Sequence, residues 1–334
     1  MDSDRRPRLT PAIADVRRAV RAALPRSGPV LVALSGGPDS LALAAATSFE
    51  AGRASIRAGA VIVDHGIQDG SADVASRAAE QARGLGLDPV IVTRATVGED
   101  GGPEAAARSA RYAALEAAAA ASGASAILLG HTLDDQAETV LLGLARGSGA
   151  RSLHGMAEVS RGPGTGGVEY VRPLLEVRRD TTRQFCIDSG LHPWTDPQND
   201  DERFARVRVR NTVLPMLERE LGPGIAEALA RTATSLREDS DALDHFAEEI
   251  AEELADLAES GISLPVRALA SNPPALRQRL IRLAVESEFH VSLSRAQTLE
   301  VARLVTDWHG QKPLDLPGVR VERRGALLLF EANG

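Results

Sequence analysis

Between residues 30 and 145 one pattern recurs four times: a short apolar run, a tight turn, and a longer alanine-rich segment. The runs are "PVLVAL", "AGAVIVD", "PVIVT" and "SAILLG"; the segments include "SLALAAATSFEA", "SADVASRAAEQARGLG", "PEAAARSARYAALEAAAAA" and "TLDDQAETVLLGLAR". Each run is short and bounded by turn residues, which reads as a buried strand, and each segment is rich in strong helix formers. Strands alternating with helices require crossover connections, and right-handed crossovers lay the strands parallel with helices on both faces. The pattern predicts an α/β fold with a doubly wound, mostly parallel, Rossmann-like sheet. An amphipathic helix, "AIADVRRAVRAAL", precedes it.

The pattern changes near residue 150. "RGPGTGG" reads as a turn between hairpin strands, residues 178 to 190 as a helix, and "HPWTDPQNDDERF" as a polar loop. From about 222 the chain reads as mostly helical and closes with a short β tail, "VRVERRGALLLFE". The expected division is a catalytic domain over 1–217, ending in an arginine-rich linker, and a smaller helical C-terminal domain over 218–334. No long uncharged apolar stretch is present, so no membrane partner is expected. The polar start "MDSDRRPRLTPAIAD" lacks the apolar centre of a secretory signal. The single cysteine, Cys186, excludes an intramolecular disulfide and any Cys-x-x-Cys pair. These features point to the cytoplasm. The net charge of −8 argues mildly against a nucleic-acid partner, yet it hides a local reversal. "RFARVRVR", residues 203 to 210, carries four arginines and no acid.

"LVALSGGPDS" runs the first strand into its helix. In an open parallel sheet such a turn lies beyond the carboxyl ends of the strands, where ligands bind. Gly36 and Gly37 let the backbone bend and present N–H groups to an anion, and the helix start adds its dipole. Ser35 and Ser40 can donate to phosphate oxygens. The Walker pattern is absent, since Lys312 is the only lysine. A carboxylate at Asp39, beside polyphosphate, makes sense with a divalent cation between them. Taken alone, the turn also fits an ordinary helix cap.

Two further strand ends carry polar groups. "VDHGIQDGS" places Asp64 and His65 at the end of the second strand, where they either face a nucleotide or serve a simple turn. "GHTLDDQAET" brings His131, Asp134, Asp135 and Glu138 to the same sheet edge. Asp134 and Glu138 are four apart and Asp135 and Glu138 three apart, so each pair shares a helix face. Carboxylates at a helix start can compensate the dipole; beside a phosphate loop, metal and amine binding is the better account.

"SGGPDS" after a strand resembles the PP-loop of the N-type ATP pyrophosphatases. The wider set "VDHGI", "EAAARSARYAAL", "GHTLDDQAET", "ARGSGARSLHGM", "RPLLEVRR" and "DPQNDDERFARVRVRNTVLP" resembles the tRNA(Ile)-lysidine synthetases over most of residues 30 to 217. That family usually reads Arg-Asn-Arg-Ile-Arg-His where this chain has Arg206-Val207-Arg208-Val209-Arg210-Asn211. The C-terminal part resembles only that family's first helical accessory domain.

The resemblance implies that lysine is ligated to the first anticodon cytidine of a tRNA(Ile) with anticodon CAU. It implies ATP and Mg²⁺, free L-lysine and the tRNA as reactants, with a homodimer among the allowed assemblies. It implies that Ser35, Gly36, Gly37, Pro38, Asp39 and Ser40, with Asp64 and His65, bind the nucleotide. It implies Mg²⁺ on Asp39 and Asp135, and the lysine ammonium on Glu138 or Asp134. His131 would bind the α-phosphate or move a proton. One arginine of the cluster, Arg208, would act on the adenylate, and Arg206 and Arg210 on the tRNA. The alternation at 206, 208 and 210 predicts an extended segment with a one-sided basic row. Arg108 and Arg111 fit substrate contact and a helix surface equally. A tRNA-thiolating relative would need more cysteines than Cys186, and a non-catalytic tRNA-binding protein would have no use for Asp39, His131 and Asp135.

Overall fold

The computed structural model describes residues 9–64, 66, 70–95, 103–147, 150–162, 167–254, 256–258 and 261–333. The first part runs α1 (Pro11–Ala23), β1 (Val30–Ala33), α2 (Pro38–Ala54), β2 (Ala58–Asp64), α3 (Ser71–Gly84), β3 (Val90–Arg94), α4 (Pro103–Ser122), β4 (Ala126–Leu128) and α5 (Leu133–Ala145). It continues through α6 (Ala150–Leu153), β5 (Val159–Arg161), β6 (Glu169–Val171) and α7 (Arg179–Asp188). Then come α8 (Ala205–Arg208), a π turn (Val209–Val213), α9 (Leu214–Leu221) and α10 (Ile225–Leu254).

The six strands stand in the order β3-β2-β1-β4-β6-β5. All neighbours pair in parallel except β5, which forms an antiparallel hairpin with β6 at the edge. This is the doubly wound sheet expected from the alternating pattern. Strand order reverses between β1 and β4, and that crevice is where α/β sheets bind ligands. Alanines let the helices pack closely. Ala42, Ala44 and Ala46 of α2 and Ala78, Ala79 and Ala82 of α3 are buried on one face, and Leu115, Ala118 and Ala119 of α4 on the other. Gly130, after β4, is required by close approach: a Cβ there would meet the Ser40 backbone at 3.1 Å. That contact seats the β4–α5 turn against the start of α2.

The segment expected to be extended is helical. Residues 205 to 221 pass through α8, the π turn and α9 without a strand. Its Val-Arg alternation suits a strand, but Val207, Val209 and Leu214 are buried, and Val209 and Leu214 pack with Leu133 and Ala137 of α5. Tertiary burial outweighs a period-two pattern only a few residues long.

Two compact units divide between Thr234 and Ser235, inside α10, whereas the boundary expected at 217 and 218 falls inside α9. The second unit holds β7 (Asp256–Ala258), β8 (Gly261–Pro265), α11 (Val266–Ser271), α12 (Pro274–Phe289), α13 (Arg295–Thr306), β9 (Leu314–Leu316), β10 (Val319–Arg324) and β11 (Leu327–Ala332). Its strands form one antiparallel sheet, β7-β8-β11-β10-β9. The expected short β tail is therefore the centre of a five-stranded sheet, and its Val319, Val321, Leu328 and Phe330 are core residues. Among the described residues no helix is long and apolar enough to cross a membrane.

Candidate active site

At the β1–α2 turn, Gly36 takes φ +85°, a left-handed conformation that glycine adopts at little cost. Its carbonyl accepts from the Trp194 amide at 2.9 Å. Gly37 caps α2, and Pro38 begins it where no N–H bond is lost. The Ser35 amide donates to Ser40 Oγ at 3.2 Å, the two hydroxyls lie 3.0 Å apart, and Ser40 Oγ donates to the Gly37 carbonyl at 3.1 Å. The serines thus hold the loop's shape. The first-turn amides of α2, which have no intrahelical acceptor, are left for an anion.

A cavity of about 780 Å³ opens here. Ser35, Gly37, Pro38, Asp39 and Ser40 line it with His131, Asp135, Arg108, Arg111, Arg206 and Arg210. Most of the expected site residues therefore come together. Gly36, Asp64, Asp134, Glu138 and Arg208 are not on its wall. Asp64 accepts from the Gly66 amide at 2.9 Å, and His65 lies outside the described residues.

Behind the loop, three carboxylates meet one arginine. Arg179, at the start of α7, places Nη2 2.8 Å from Asp135 Oδ1, Nη1 3.0 Å from Glu138 Oε1 and Nε 3.6 Å from Asp39 Oδ2. Burial works against the charge on Arg179, but the carboxylates of Asp135, Glu138 and Asp39 overcome it and raise its pKa. Asp135 also accepts from the Thr132 amide and hydroxyl at 2.8 and 2.9 Å, which closes the cap of α5. Burial would raise its pKa; Arg179, the Thr132 bonds and His131 outweigh that and hold it below the usual carboxylate value. Asp39 differs. Burial dominates and pushes its pKa up, although the Thr182 hydroxyl and Arg179 pull the other way; Asp135 adds repulsion.

Asp134 was expected to reach an amine, but it faces protein. Its Oδ2 accepts from the Arg179 amide at 2.8 Å, and its Oδ1 lies 3.5 Å from Arg178 Nη2. Glu138 is fully buried and held by arginines: Arg210 donates Nε to Oε1 at 2.7 Å and Nη2 to Oε2 at 3.1 Å. Arg206 approaches Oε2 at 3.9 Å and donates to Thr139 Oγ1 at 3.4 Å. Helical geometry explains this, since residues four apart share a face. Arg208, two positions from each, instead donates Nη1 to the Glu202 and Arg203 carbonyls at 2.6 and 3.0 Å. The one-sided row expected of a strand is thereby corrected: Arg206 and Arg210 act as a pair and Arg208 stands apart.

His131 follows Gly130 into the cavity. Burial first, then Arg172, Arg111 and Arg206, lower its pKa to about 4 against the pull of Asp135, so the ring is neutral at pH 7. Its Nδ1 is buried and has no hydrogen-bond partner among the described residues. A neutral ring can accept a proton or donate one hydrogen bond. Arg179 and Thr182 escaped the sequence reading. Their signal was spacing: Arg179, Thr182 and Cys186 fall on the buried face of α7, so Arg179 is an arginine where an apolar residue is expected.

The donor set suits Mg²⁺. Asp39 and Asp135 offer hard carboxylate oxygens at the phosphate loop, and their mutual repulsion is what a cation relieves. Among the described residues no group of three or more His, Cys, Asp or Glu side chains is arranged to hold a metal alone. Phosphate oxygens or water would complete the shell of an ion held there.

Comparison with known proteins finds matches over most of the chain. Residues 12–217 match the PP-loop domain family, and residues 264–327 match the TilS substrate binding domain. The chain is 63% identical over 305 residues to the tRNA(Ile)-lysidine synthase of Leifsonia xyli subsp. xyli, covering 91% of this chain and 90% of that one. It is 52% identical over 319 residues to the tRNA(Ile)-lysidine synthase of Thermobifida fusca, covering 94% and 95%. Among solved structures, the U34-tRNA thiolase NcsA from Methanococcus maripaludis superposes with a TM-score of 0.57 at 20% identity, over 68% of this chain and 80% of that one. That likeness concerns the fold alone.

Proposed function

This chain belongs to the tRNA(Ile)-lysidine synthase family, and from that premise we infer how its site performs the reaction. It is an ATP-using ligase that forms lysidine on tRNA(Ile). The carbonyl oxygen on the cytosine ring is a poor leaving group. It is first adenylated at the expense of ATP, the ε-amine of free lysine then attacks the ring carbon, and AMP leaves.

The observation that carries the assignment of residues is the convergence of the phosphate loop, His131, Asp39 and Asp135 on one cavity. The first-turn amides of α2 hold phosphate oxygens, in a loop whose shape the Ser35 and Ser40 hydroxyls fix. Bound Mg²⁺ supplies charge neutralisation for the departing pyrophosphate. Asp39 and Asp135 hold that ion, and Arg179 keeps both carboxylates in place. Neutral His131 hydrogen-bonds the α-phosphate or takes the amine proton. Arg108 and Arg111, on the cavity wall, offset negative charge on the tRNA or the adenylate. The Glu138 carboxylate is assigned to the lysine ammonium, and Asp134 is left as an anchor for α7.

A sulfur-transfer chemistry fits poorly. Cys186 is buried, its Sγ donates to the Pro38 carbonyl at 3.4 Å, and burial pushes its thiol up to about 12. A thiol so rarely ionised is a weak nucleophile. The test is to incubate the protein with ATP, Mg²⁺, labelled lysine and tRNA(Ile) bearing a CAU anticodon. The expected result is label at the first anticodon nucleoside with stoichiometric AMP. Release of AMP without label would remove lysine as the acceptor.

A further inference from the structure

Glu138 cannot receive an amine in the arrangement just described. Its carboxylate is fully buried, and each oxygen already accepts from a guanidinium: Arg179 and Arg210 on Oε1, Arg210 again on Oε2. Arg210 forms a two-pronged contact, the strongest geometry open to a carboxylate, and also reaches Asp135 at 3.4 Å. Of the two arginines, Arg210 is on the solvent side. Its side chain is 24% exposed against 9% for Arg179.

We infer that Arg210 is an internal occupant of the amine subsite, and that the substrate's ε-ammonium displaces it. This rests on the assignment of Glu138 to lysine. The exchange is cation for cation, so the buried carboxylate is never left uncompensated. A neutral side chain entering the same place would break the Arg210 contact and return no charge. Glu138 would then depend on Arg179, already shared with Asp135 and Asp39, and that loss of a charge partner rejects it. Arg210 thereby sets selectivity for a cationic amino acid.

The backbone beneath Arg210 is suited to movement. Residues Val209–Val213 form a π turn, and the Leu214 amide reaches back five residues to the Val209 carbonyl. The cause lies in the sequence. Pro215 has no N–H to give, and its ring would collide with the carbonyl four residues earlier, that of Asn211, so the α register cannot run through unbroken. Such turns are rare and recur at functional sites. Arg179 has no such freedom, because its own amide is fixed to Asp134 at 2.8 Å.

The test measures lysine binding to the full-length protein by calorimetry, with Mg²⁺ and a non-hydrolysable ATP analogue and without tRNA. Arg210→Met removes the occupant and keeps the aliphatic stem. Arg210→Gln keeps one donor for Glu138 and guards against misfolding. Lysine is expected to bind about tenfold more tightly to Arg210→Met and severalfold more tightly to Arg210→Gln, and the gain should vanish when Glu138→Gln is added. If neither Arg210 variant tightens binding while Glu138→Gln alone weakens it, the displacement is overturned and the lysine assignment survives. If Glu138→Gln leaves lysine binding at the wild-type value, that assignment falls and the displacement with it.

Discussion

His131 and Asp39 sit on one cavity wall, and burial drives both towards their neutral forms, with opposite consequences for stability. The folded His131 ring takes a proton only near pH 4, whereas the unfolded ring titrates near 6.5. Between those values the unfolded chain binds more protons, so stability falls as pH drops, by at most about 1.4 kcal/mol per pH unit from this group. Asp39 has the opposite sign: its raised pKa contributes stability at low pH that is lost as pH rises through the folded value. The comparison must therefore be between variants. In ligand-free protein His131→Gln should flatten the melting temperature against pH between about 4 and 6.5 relative to wild type; an unchanged slope would return the ring to ordinary solvent exposure. Asp39→Asn should leave folding intact and slow AMP release about 100-fold or more, the scale of one lost charge contact in a transition state. Near-normal AMP production would remove Asp39 from the mechanism. Asp39, Asp135 and His131 were legible as a group because strand-end positions converge in any doubly wound sheet. Arg179 was legible only through its spacing with Thr182 and Cys186, a helical face that Arg178 and Arg183 do not share.

At the scale of elements, the four strand-and-helix units were legible because each strand is a continuous apolar run, as parallel strands buried on both faces must be. The 205–221 segment was not. Its Val-Arg alternation imitates a strand, and only packing of Val209 and Leu214 against α5 shows the helix. Changing the element changes the prediction. On a strand all three arginines would act together; on the helix, Arg206 faces the cavity and Arg208 serves the entry to α8. Arg208→Ala should cost about 1 kcal/mol of stability through lost carbonyl contacts, with wild-type turnover and tRNA salt dependence. Arg206→Ala should weaken tRNA binding and flatten its log–log salt slope by about one unit, with ATP binding unchanged. Paired measurements of turnover and salt slope check both. Equal loss of turnover in the two variants would restore a common face.

The whole molecule carries a net charge of −8 and yet acts on a polyanion, so recognition must be local. The second unit was the least legible part. The unit reads as mostly helical, but "VRVERRGALLLFE" looked like a tail because Leu314–Leu316 is too short to stand out as a strand and Gly261–Pro265 lies three helices earlier in the chain. A five-stranded sheet with its own core means that this unit can be damaged separately from the catalytic cavity, whose lining residues all lie before residue 235. Phe330 is the residue to use. It is fully buried on β11, opposite Ile262 on one neighbouring strand and Val321 on the other. Phe330→Ala should cost about 3–5 kcal/mol, a large part of the 5–15 kcal/mol that holds a typical domain. Residues 264–327 match a substrate binding domain, and tRNA is the substrate expected to lose affinity. Phe330→Ala should therefore show an early unfolding transition and a raised KM for tRNA, with the nucleotide-binding isotherm of the first unit unchanged. Calorimetry with and without the ATP analogue separates the two, since the analogue should raise only the later transition. A single transition that shifts as a whole with nucleotide would make the two units one cooperative body, and the tRNA effect could then no longer be assigned to the second.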